Sequence, residues 1–477
     1  MSRNSLVYKH LDWYIIICYV LLVFFGWLNI TASCYNINST NILDIGQKSG
    51  AQLLWIGIGF LIASALVVSI NPKFYIGLSF WLYVGVLGLL AVVLILGKEI
   101  NGSKSWFILG PVSFQPSEIS KITTALILAV LMSRPEFKLT RRTDFLQAFT
   151  VVLLPIALIA LEPDMGTILV YCSLIFVFYR EGMSGLVIVF FLFLALLFII
   201  TLKYSALVSI LLAFNIIWIL KSLNEKNTFF NILFSTALSA GLIFLPKVLE
   251  IPAITKIIPF DIKYIAAIII SIIGLREIFI ALKNRLKERL HLAIILFASL
   301  ALIFSVEFIF NNVLKEHHRD RIENLLGIEK DLQGTGYNVN QSMIAIGSGG
   351  FTGKGFLQGT QTKFKFVPEQ STDFIFCTIG EEWGFVGSVL VLILYLIIII
   401  RLVILSERQQ DRLNRVYGYC VASYFFTHVV VNIGMTIGIM PVVGIPLPFI
   451  SYGGSSFITF TVMLFIFLRM DLERWKY

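Results

Sequence analysis

The sequence predicts an all-α polytopic membrane protein: a bundle of about fourteen transmembrane helices carrying one large extracytoplasmic loop. Three observations predict it. Only 14% of the residues are charged and 58% are hydrophobic, whereas a soluble domain carries about 25% charged residues. Apolar runs recur along almost the whole chain, at lengths near the roughly 20 residues that one helical crossing needs. Basic residues then gather in alternate gaps between those runs, as the bias of cytoplasmic loops toward Lys and Arg requires. The formal charge of +9 therefore reads as orientation, and no nucleic-acid partner is expected.

The candidate spans are 12–30, 52–71, 76–97, 117–133, 146–161, 165–179, 185–202, 205–220, 229–246, 264–282, 290–313, 375–400, 416–440 and 448–469. The first follows Arg3 and Lys9 without a small-residue cleavage site behind it, so it reads as a span rather than a signal peptide. The gap after the fourth span carries Arg134, Lys138, Arg141 and Arg142. The gap after the tenth carries Lys283, Arg285, Lys287 and Arg289, and that after the twelfth Arg401, Arg408, Arg412 and Arg415. With the N-terminus inside, these gaps and the basic tail fall on the cytoplasmic side, so both termini are cytoplasmic and membrane lipid surrounds the chain. Five scattered cysteines without CxxC spacing suggest neither a disulfide framework nor a metal knuckle.

Four stretches on the opposite face carry the chemistry-bearing residues. In 98–116, Pro111 and Pro116 break any helix, and Pro116 suits the first position of the fourth span. Glu118 and Lys121 then share one helix face, three residues apart. The second stretch is Glu162-Pro163-Asp164-Met165-Gly166-Thr167. The third, 338–382, has six glycines between Gly347 and Gly359, followed by Lys363, Lys365, Glu369, Gln370, Ser371, Thr372 and Asp373. No Gly-Lys-Ser/Thr follows those glycines, so they read as hinge or close-packing positions rather than a phosphate loop. The fourth, 438–456, interrupts apolar sequence with Pro441, Pro446, Pro448 and four glycines. Irregular backbone at membrane depth is tolerated where protein buries it or a cavity is lined, which suggests a re-entrant loop or a broken helix.

Position alone leaves each residue two readings. Asp373 caps a helix starting near Phe374, or it serves as a general base or metal-holding carboxylate. Asp164 likewise caps the helix behind it or meets substrate. Glu118 and Lys121 are a structural ion pair or line a cavity. Trp106 is an interfacial belt residue or packs on a ligand. Lys354, Lys363 and Lys365 are a solvated basic loop or an anion site, and Glu381 is placed toward the cavity. The adjacent His317 and His318 are not assigned as metal ligands.

Four motifs together resemble one family. They are Lys104-Ser105-Trp106 with Phe114-Gln115-Pro116-Ser117-Glu118; Glu162 to Thr167; Gln341-Ser342 through Gly355 with Pro368 to Phe374; and Pro441 through Ser455. In this order and on one membrane face they resemble the SEDS (shape, elongation, division and sporulation) proteins. Gln115 before Pro116-Ser117-Glu118, and Met440-Pro441-Val442-Val443-Gly444, resemble the RodA branch more than the FtsW branch. Such proteins usually have about ten spans, so the resemblance implies a core at 1–182 and 375–477. An atypical transmembrane insert at 183–312 adds about four spans, and 313–374 forms the large extracytoplasmic loop.

The resemblance implies a peptidoglycan glycosyltransferase of the cell-elongation machinery in the bacterial cytoplasmic membrane. It would polymerise lipid II with lipid-linked glycan on the outer face, beside a class B penicillin-binding protein. It also implies roles: Asp373 catalytic, with Trp106, Glu118, Lys121, Asp164, Gln341, Lys354, Lys365, Glu369 and Ser451 binding substrate. A sugar hydroxyl needs a base, and the leaving pyrophosphate needs cations. Lysines meet that need, or a divalent ion such as Mg²⁺ or Mn²⁺. Two other classes share some of these features: a lipid-precursor flippase or transporter, and a non-catalytic wall-synthesis scaffold.

Overall fold

The computed structural model describes residues 11–35, 46–68, 71–100, 103–109, 112–223, 228–249, 261–313, 319 and 336–474. His317, His318, Arg3, Lys9, Lys476 and most of 314–335 lie outside the described residues. The chain divides into two compact units, Met1–Ser184 with Leu332–Tyr477, and Gly185–Asp331.

In the first unit, α1 (Trp13–Cys34), α2 (Lys48–Val68) and α3 (Pro72–Leu96) come first. Asp12 starts α1 by accepting from the Ile15 amide at 3.2 Å, a favoured N-cap arrangement. Asn71 starts α3 in the same way with Pro72 at the first position. Three strands follow where the sequence suggested an irregular loop: β1 (Lys98–Ile100), β2 (Ser103–Leu109) and β3 (Val112–Phe114), antiparallel in that order. Trp106 pairs with Lys98, and Phe107 with Phe114. The run Trp106-Phe107-Ile108-Leu109 is strong strand-forming sequence, and tertiary pairing uses it although prolines flank it.

Next come α4 (Pro116–Met132), α5 (Arg142–Leu161), α6 (Met165–Cys172) and α7 (Ile175–Arg180). The second unit holds α8 (Gly185–Lys203), α9 (Ala206–Ser222), α10 (Thr228–Leu249), α11 (Ile262–Lys283) and α12 (Lys287–Phe308), the last running on into a π-turn at Ile309–Val313. This unit has its own apolar core, with Leu197, Ile210, Phe214, Ala266, Ile270 and Ile303 buried. The first unit resumes with α13 (Tyr337–Ser348), α14 (Thr360–Lys363), α15 (Ile375–Glu407), α16 (Arg412–Thr436) and α17 (Gly454–Glu473).

Ten described helices have the length and apolarity to cross a bilayer. Spans predicted at 165–179 and 205–220 fall on shorter apolar helices, that at 229–246 on the 22-residue α10, and that at 117–133 on the 17-residue α4. The span predicted to begin at 448 is helical only from Gly454. Burial separates the inner helices from the outer ones. In α16 and α17, 78% of the most apolar window is buried, against 28% in α2 and α3 and 22% in α5. The outer helices therefore show Leu61, Trp81 and Ile95 to their surroundings, as lipid-facing surfaces should. Salt bridges join the basic end of the first unit: Glu181 accepts from Arg412 at 2.8 Å and Arg415 at 3.0 Å, while Arg408 pairs with Asp471 and Arg401 with Asp12.

Candidate active site

Residues 370–373 enter α15 as an irregular stretch fastened from several sides. Gln370 donates to the Ser33 carbonyl at 2.7 Å and the Thr362 carbonyl at 2.9 Å. Lys48 Nζ donates to Ser371 Oγ at 2.8 Å, and the Tyr452 amide to the Ser371 carbonyl at 2.9 Å. Ser451 Oγ donates to the Thr372 carbonyl at 2.6 Å. Asn432 Nδ2 bridges the Asp373 carbonyl at 2.8 Å and the Ile445 carbonyl at 2.7 Å. The backbone of Asp373 is thus fixed, whereas its carboxylate makes no hydrogen bond among the described residues.

That settles the capping question for Asp373. The helix begins at Ile375 with Phe374 at the N-cap, and no side chain caps it. Burial, then the charges of Glu369 and Asp164, push the Asp373 carboxyl up to about 7. Opposite it lies the irregular segment between α16 and α17. Ile445, Leu447, Phe449 and Ile450 bury it, and Tyr395 hydroxyl donates to the Pro448 carbonyl. Protein therefore satisfies and covers a non-helical stretch, as membrane depth demands.

Asp164 does cap its helix: Oδ1 accepts from the Thr167 amide at 3.0 Å. Its Oδ2 accepts from Thr167 Oγ1 at 2.7 Å, Gln115 Nε2 at 2.9 Å and Ser117 Oγ at 3.4 Å. Asp164, Gln115 and Thr167, together with Glu118, His428 and Pro446, line a polar cavity of about 30 Å³, enough for about one water-sized group. Lys121 Nζ, fully buried, lies 2.9 Å from Glu118 Oε1 and 3.2 Å from His428 Nε2. His428 Nδ1 stands 3.0 Å from the Pro446 carbonyl. A carbonyl only accepts, so Nδ1 carries the proton and Nε2 accepts from Lys121. Glu118 Oε2 has no partner among the described residues. Gly444 closes this side at φ +68.

Glu162, two residues before Asp164, is fully buried, and neither carboxyl oxygen has a partner among the described residues. Burial, then the Asp164 charge, push its carboxyl up to about 8.

The glycine-rich loop is held away from this pocket. Glu381 Oε1 accepts from Lys354 Nζ at 2.7 Å, Thr360 Oγ1 at 3.1 Å and the Gln361 amide at 2.8 Å. Its Oε2 accepts from the Thr362 amide at 2.8 Å and Thr362 Oγ1 at 2.6 Å. Glu381 therefore fastens the loop instead of facing the cavity, because five donors from 354–362 surround its carboxylate. Gly353 and Gly384 make the close approach possible. A Cβ on Gly353 would lie 2.1 Å from the Glu382 carbonyl oxygen, and one on Gly384 2.3 Å from the Gly353 nitrogen. Both have positive φ, +80 and +63, which suits glycine.

Asp373, Asp164, Glu118 and Lys121 are thus gathered around the 444–446 segment, while Ser451 acts on the Thr372 backbone. Gln341 lies half-buried on α13, where its neighbour Ser342 donates to the Thr436 carbonyl at 2.9 Å. Lys363 is half-buried, whereas Lys365 and Glu369 are exposed, the latter two at φ +56 and +50. Trp106 stands half-buried on β2. Sequence reasoning gave no individual role to Lys48, Gln115, Thr167, His428 or Asn432. Gln115 and Thr167 sit inside quoted motifs, so a signal existed. His428 is one polar residue in an apolar helix, and only packing shows its partners.

Comparison with known proteins gives the family. The family model FtsW/RodA/SpoVE, described as "Cell cycle protein", matches residues 12–244 and 242–476. The peptidoglycan glycosyltransferase RodA of Treponema pallidum is 30% identical over 464 residues, 97% of each chain. The peptidoglycan glycosyltransferase MrdB of Escherichia coli is 29% identical over 432 residues, covering 90% of this chain and 87% of that one. A solved structure titled as the structural coordination of polymerization and crosslinking by a peptidoglycan synthase complex aligns with a TM-score of 0.59 at 26% identity, covering 98% of this chain and 99% of that one. Thermus thermophilus RodA shares the fold, with a TM-score of 0.52 at 22% identity and 98% of both chains covered. The chain belongs to the FtsW/RodA/SpoVE (SEDS) family of polytopic membrane proteins.

Proposed function

We propose that this chain is a peptidoglycan glycosyltransferase of the RodA kind, which polymerises lipid II on the outer face of the bacterial cytoplasmic membrane with both termini in the cytoplasm. The single observation that carries the assignment of the site is the Asp373 carboxyl. It is anchored through its backbone, free of hydrogen bonds at its oxygens among the described residues, and raised to about 7. A general base works best with a pKa near the operating pH. The Asp373 carboxylate takes the proton of the acceptor hydroxyl as that oxygen bonds to the anomeric carbon of the donor. The bond from that carbon to the lipid pyrophosphate breaks, and the pyrophosphate leaves with the electron pair. Lys48, hydrogen-bonded to Ser371 two residues before Asp373, supplies positive charge for the leaving group. Asp164, engaged by Gln115 and Thr167, shapes the polar wall.

Among the described residues no group of three or more His, Cys, Asp or Glu side chains could hold a metal. A Mg²⁺ or Mn²⁺ ion is commonly held by one or two carboxylates together with substrate phosphates. Asp373, whose oxygens are unengaged among the described residues, would be the carboxylate for such a shared ion, which would neutralise charge on the pyrophosphate. A class B penicillin-binding protein fits as the transpeptidase partner, because a structural neighbour is described as a complex that coordinates polymerization and crosslinking. Polymerisation of purified lipid II by the wild type and by Asp373→Asn tests the proposal. Glycan chains from the wild type alone support it. Lipid movement without polymer from either protein would instead indicate a carrier.

A further inference from the structure

We propose that the aromatic and basic rim formed by 351–366 and the first turns of α15 is a membrane-docking surface. It sits in the head-group layer of the leaflet opposite the basic ends of α15 and α16. Phe351, Phe364 and Phe385 are 69%, 66% and 59% exposed, and Phe356 and Phe366 are exposed as well. Lys363 and Lys365 alternate with Phe364 and Phe366 along the chain. Backbone bonds hold these side chains outward. The Phe364 amide donates to the Thr360 carbonyl at 3.2 Å, the Lys365 amide to the Thr362 carbonyl at 3.2 Å, and the Phe366 amide to the Gln361 carbonyl at 3.1 Å. Val367 is buried behind this turn. On the helix side, the Phe385 and Val386 amides donate to the Gly350 and Phe351 carbonyls at 3.0 and 3.1 Å. The Phe351 and Phe385 rings stack with their centres 5.8 Å apart.

Two helices measure the height of the rim. Arg401 of α15 pairs with Asp12 at the start of α1, so both helices share a level there. Ser33 stands twenty-one residues beyond Asp12, about 32 Å at the helical rise. Its carbonyl accepts from Gln370 Nε2, which also donates to the Thr362 carbonyl at the foot of the Phe364 turn. Phe385 stands sixteen residues before Arg401, about 24 Å away by the same rise. The rim therefore lies about 24–32 Å above the Asp12–Arg401 pair, across the far edge of a hydrocarbon layer about 30 Å thick.

Continuity with the lipid-facing surface names the occupant. Leu392, Leu396 and Val403 follow Phe385 at helical spacing on one face of α15, and all are exposed. The Phe351–Phe385 stack carries that face into the loop. An interfacial segment combines Phe or Leu, which enter the acyl boundary, with Lys, whose long stem lets the ammonium reach lipid phosphates. Lys363-Phe364-Lys365-Phe366 has that composition. Phospholipid is thus the ligand class, and 351–366 is anchored at the membrane surface instead of standing in water. This inference rests on the chain crossing a bilayer and not on the chemistry assigned to Asp373.

The test uses the full chain in vesicles of phosphatidylglycerol and phosphatidylethanolamine. One environment-sensitive fluorescent amino acid is encoded at 351, 364, 99 or 369 in turn. Glu99 and Glu369 are exposed acids, and they control for insertion driven by the probe itself. Lipids carrying a nitroxide near the head group should quench the probe several-fold more at 351 and 364 than at 99 and 369. Aqueous iodide should show the reverse order. Equal nitroxide quenching at all four positions overturns the proposal, because the probe alone would then have inserted. Iodide quenching at 351 and 364 without nitroxide quenching overturns it too, and leaves the rim to water or to a protein partner.

Discussion

Oδ2 of Asp373 lies 3.4 Å from the point where a Cβ on Gly444 would stand, so the segment between α16 and α17 passes at van der Waals distance from the acid, and a side chain at 444 would fill the space in front of it. Gly444→Ala would place a methyl against that oxygen and force a residue at φ +68, a backbone cost of about 1–2 kcal/mol. We expect polymerisation to fall by at least about tenfold while the protein still folds. Unchanged turnover with this variant would show that the acid does not need the space.

The Glu381 carboxylate should act on the loop rather than on chemistry. Removing it with Glu381→Ala strands Lys354 and four further donors, and breaking a buried pair from one side costs about 3–5 kcal/mol. Amide exchange across 354–363 should accelerate strongly. Lys354→Met leaves Glu381 its other four donors, so exchange should rise much less. Equal exchange in both variants contradicts the latch.

Lys121 and Glu118 separate structure from function by a paired substitution. Lys121→Met alone leaves Glu118 buried and uncompensated, with a loss of about 3–5 kcal/mol. Adding Glu118→Gln removes the stranded charge and should restore most of the thermal stability in detergent. If the pair lines the substrate pocket, the stable double variant remains inactive. Recovery of polymerisation along with stability would make the pair purely structural.

Glu162 predicts a pH signature of stability. Its folded carboxyl is raised to about 8, well above an ordinary glutamate, so the folded state binds the proton more tightly than the unfolded chain. Stability from this group is fully present in acid, declines as pH rises from about 4.3, and is lost above about 8. Glu162→Gln should therefore match the wild type near pH 4 and exceed it near pH 9. A difference in melting temperature that stays flat with pH would argue against a buried neutral acid.

Much of the architecture could be read from patterning. Apolar run length placed helices at all fourteen segments, and Pro116 marked the start of α4. The crossing number was less legible, because α4, α6 to α7 and α9 are apolar yet short, and length decides crossing. The strand pairing of Trp106 was hidden because it depends on partners eight and more residues away. At the site, Asp373 and Asp164 stood out as acids beside breakers, but their capping roles were not separable by sequence. Asp164 caps because Thr167 follows at helical spacing, whereas Asp373 stands one residue too early. Glu381 lay among apolar residues and suggested a cavity; the five donors around it come from a loop nineteen and more residues upstream. His428 and Asn432 acquire meaning only when α16 packs on α4 and on the 445–446 segment.

The central claim is that Asp373 removes a proton from the sugar acceptor, and the pH dependence of lipid II polymerisation tests it most directly. A base raised to about 7 must be ionised to act, so the wild-type rate should climb with pH and level off above about 7. Asp373→Asn should lose roughly 10²–10⁴-fold in rate together with that rising limb, with lipid II still bound. An Asp373→Asn enzyme that keeps both the rate and the limb would contradict the account.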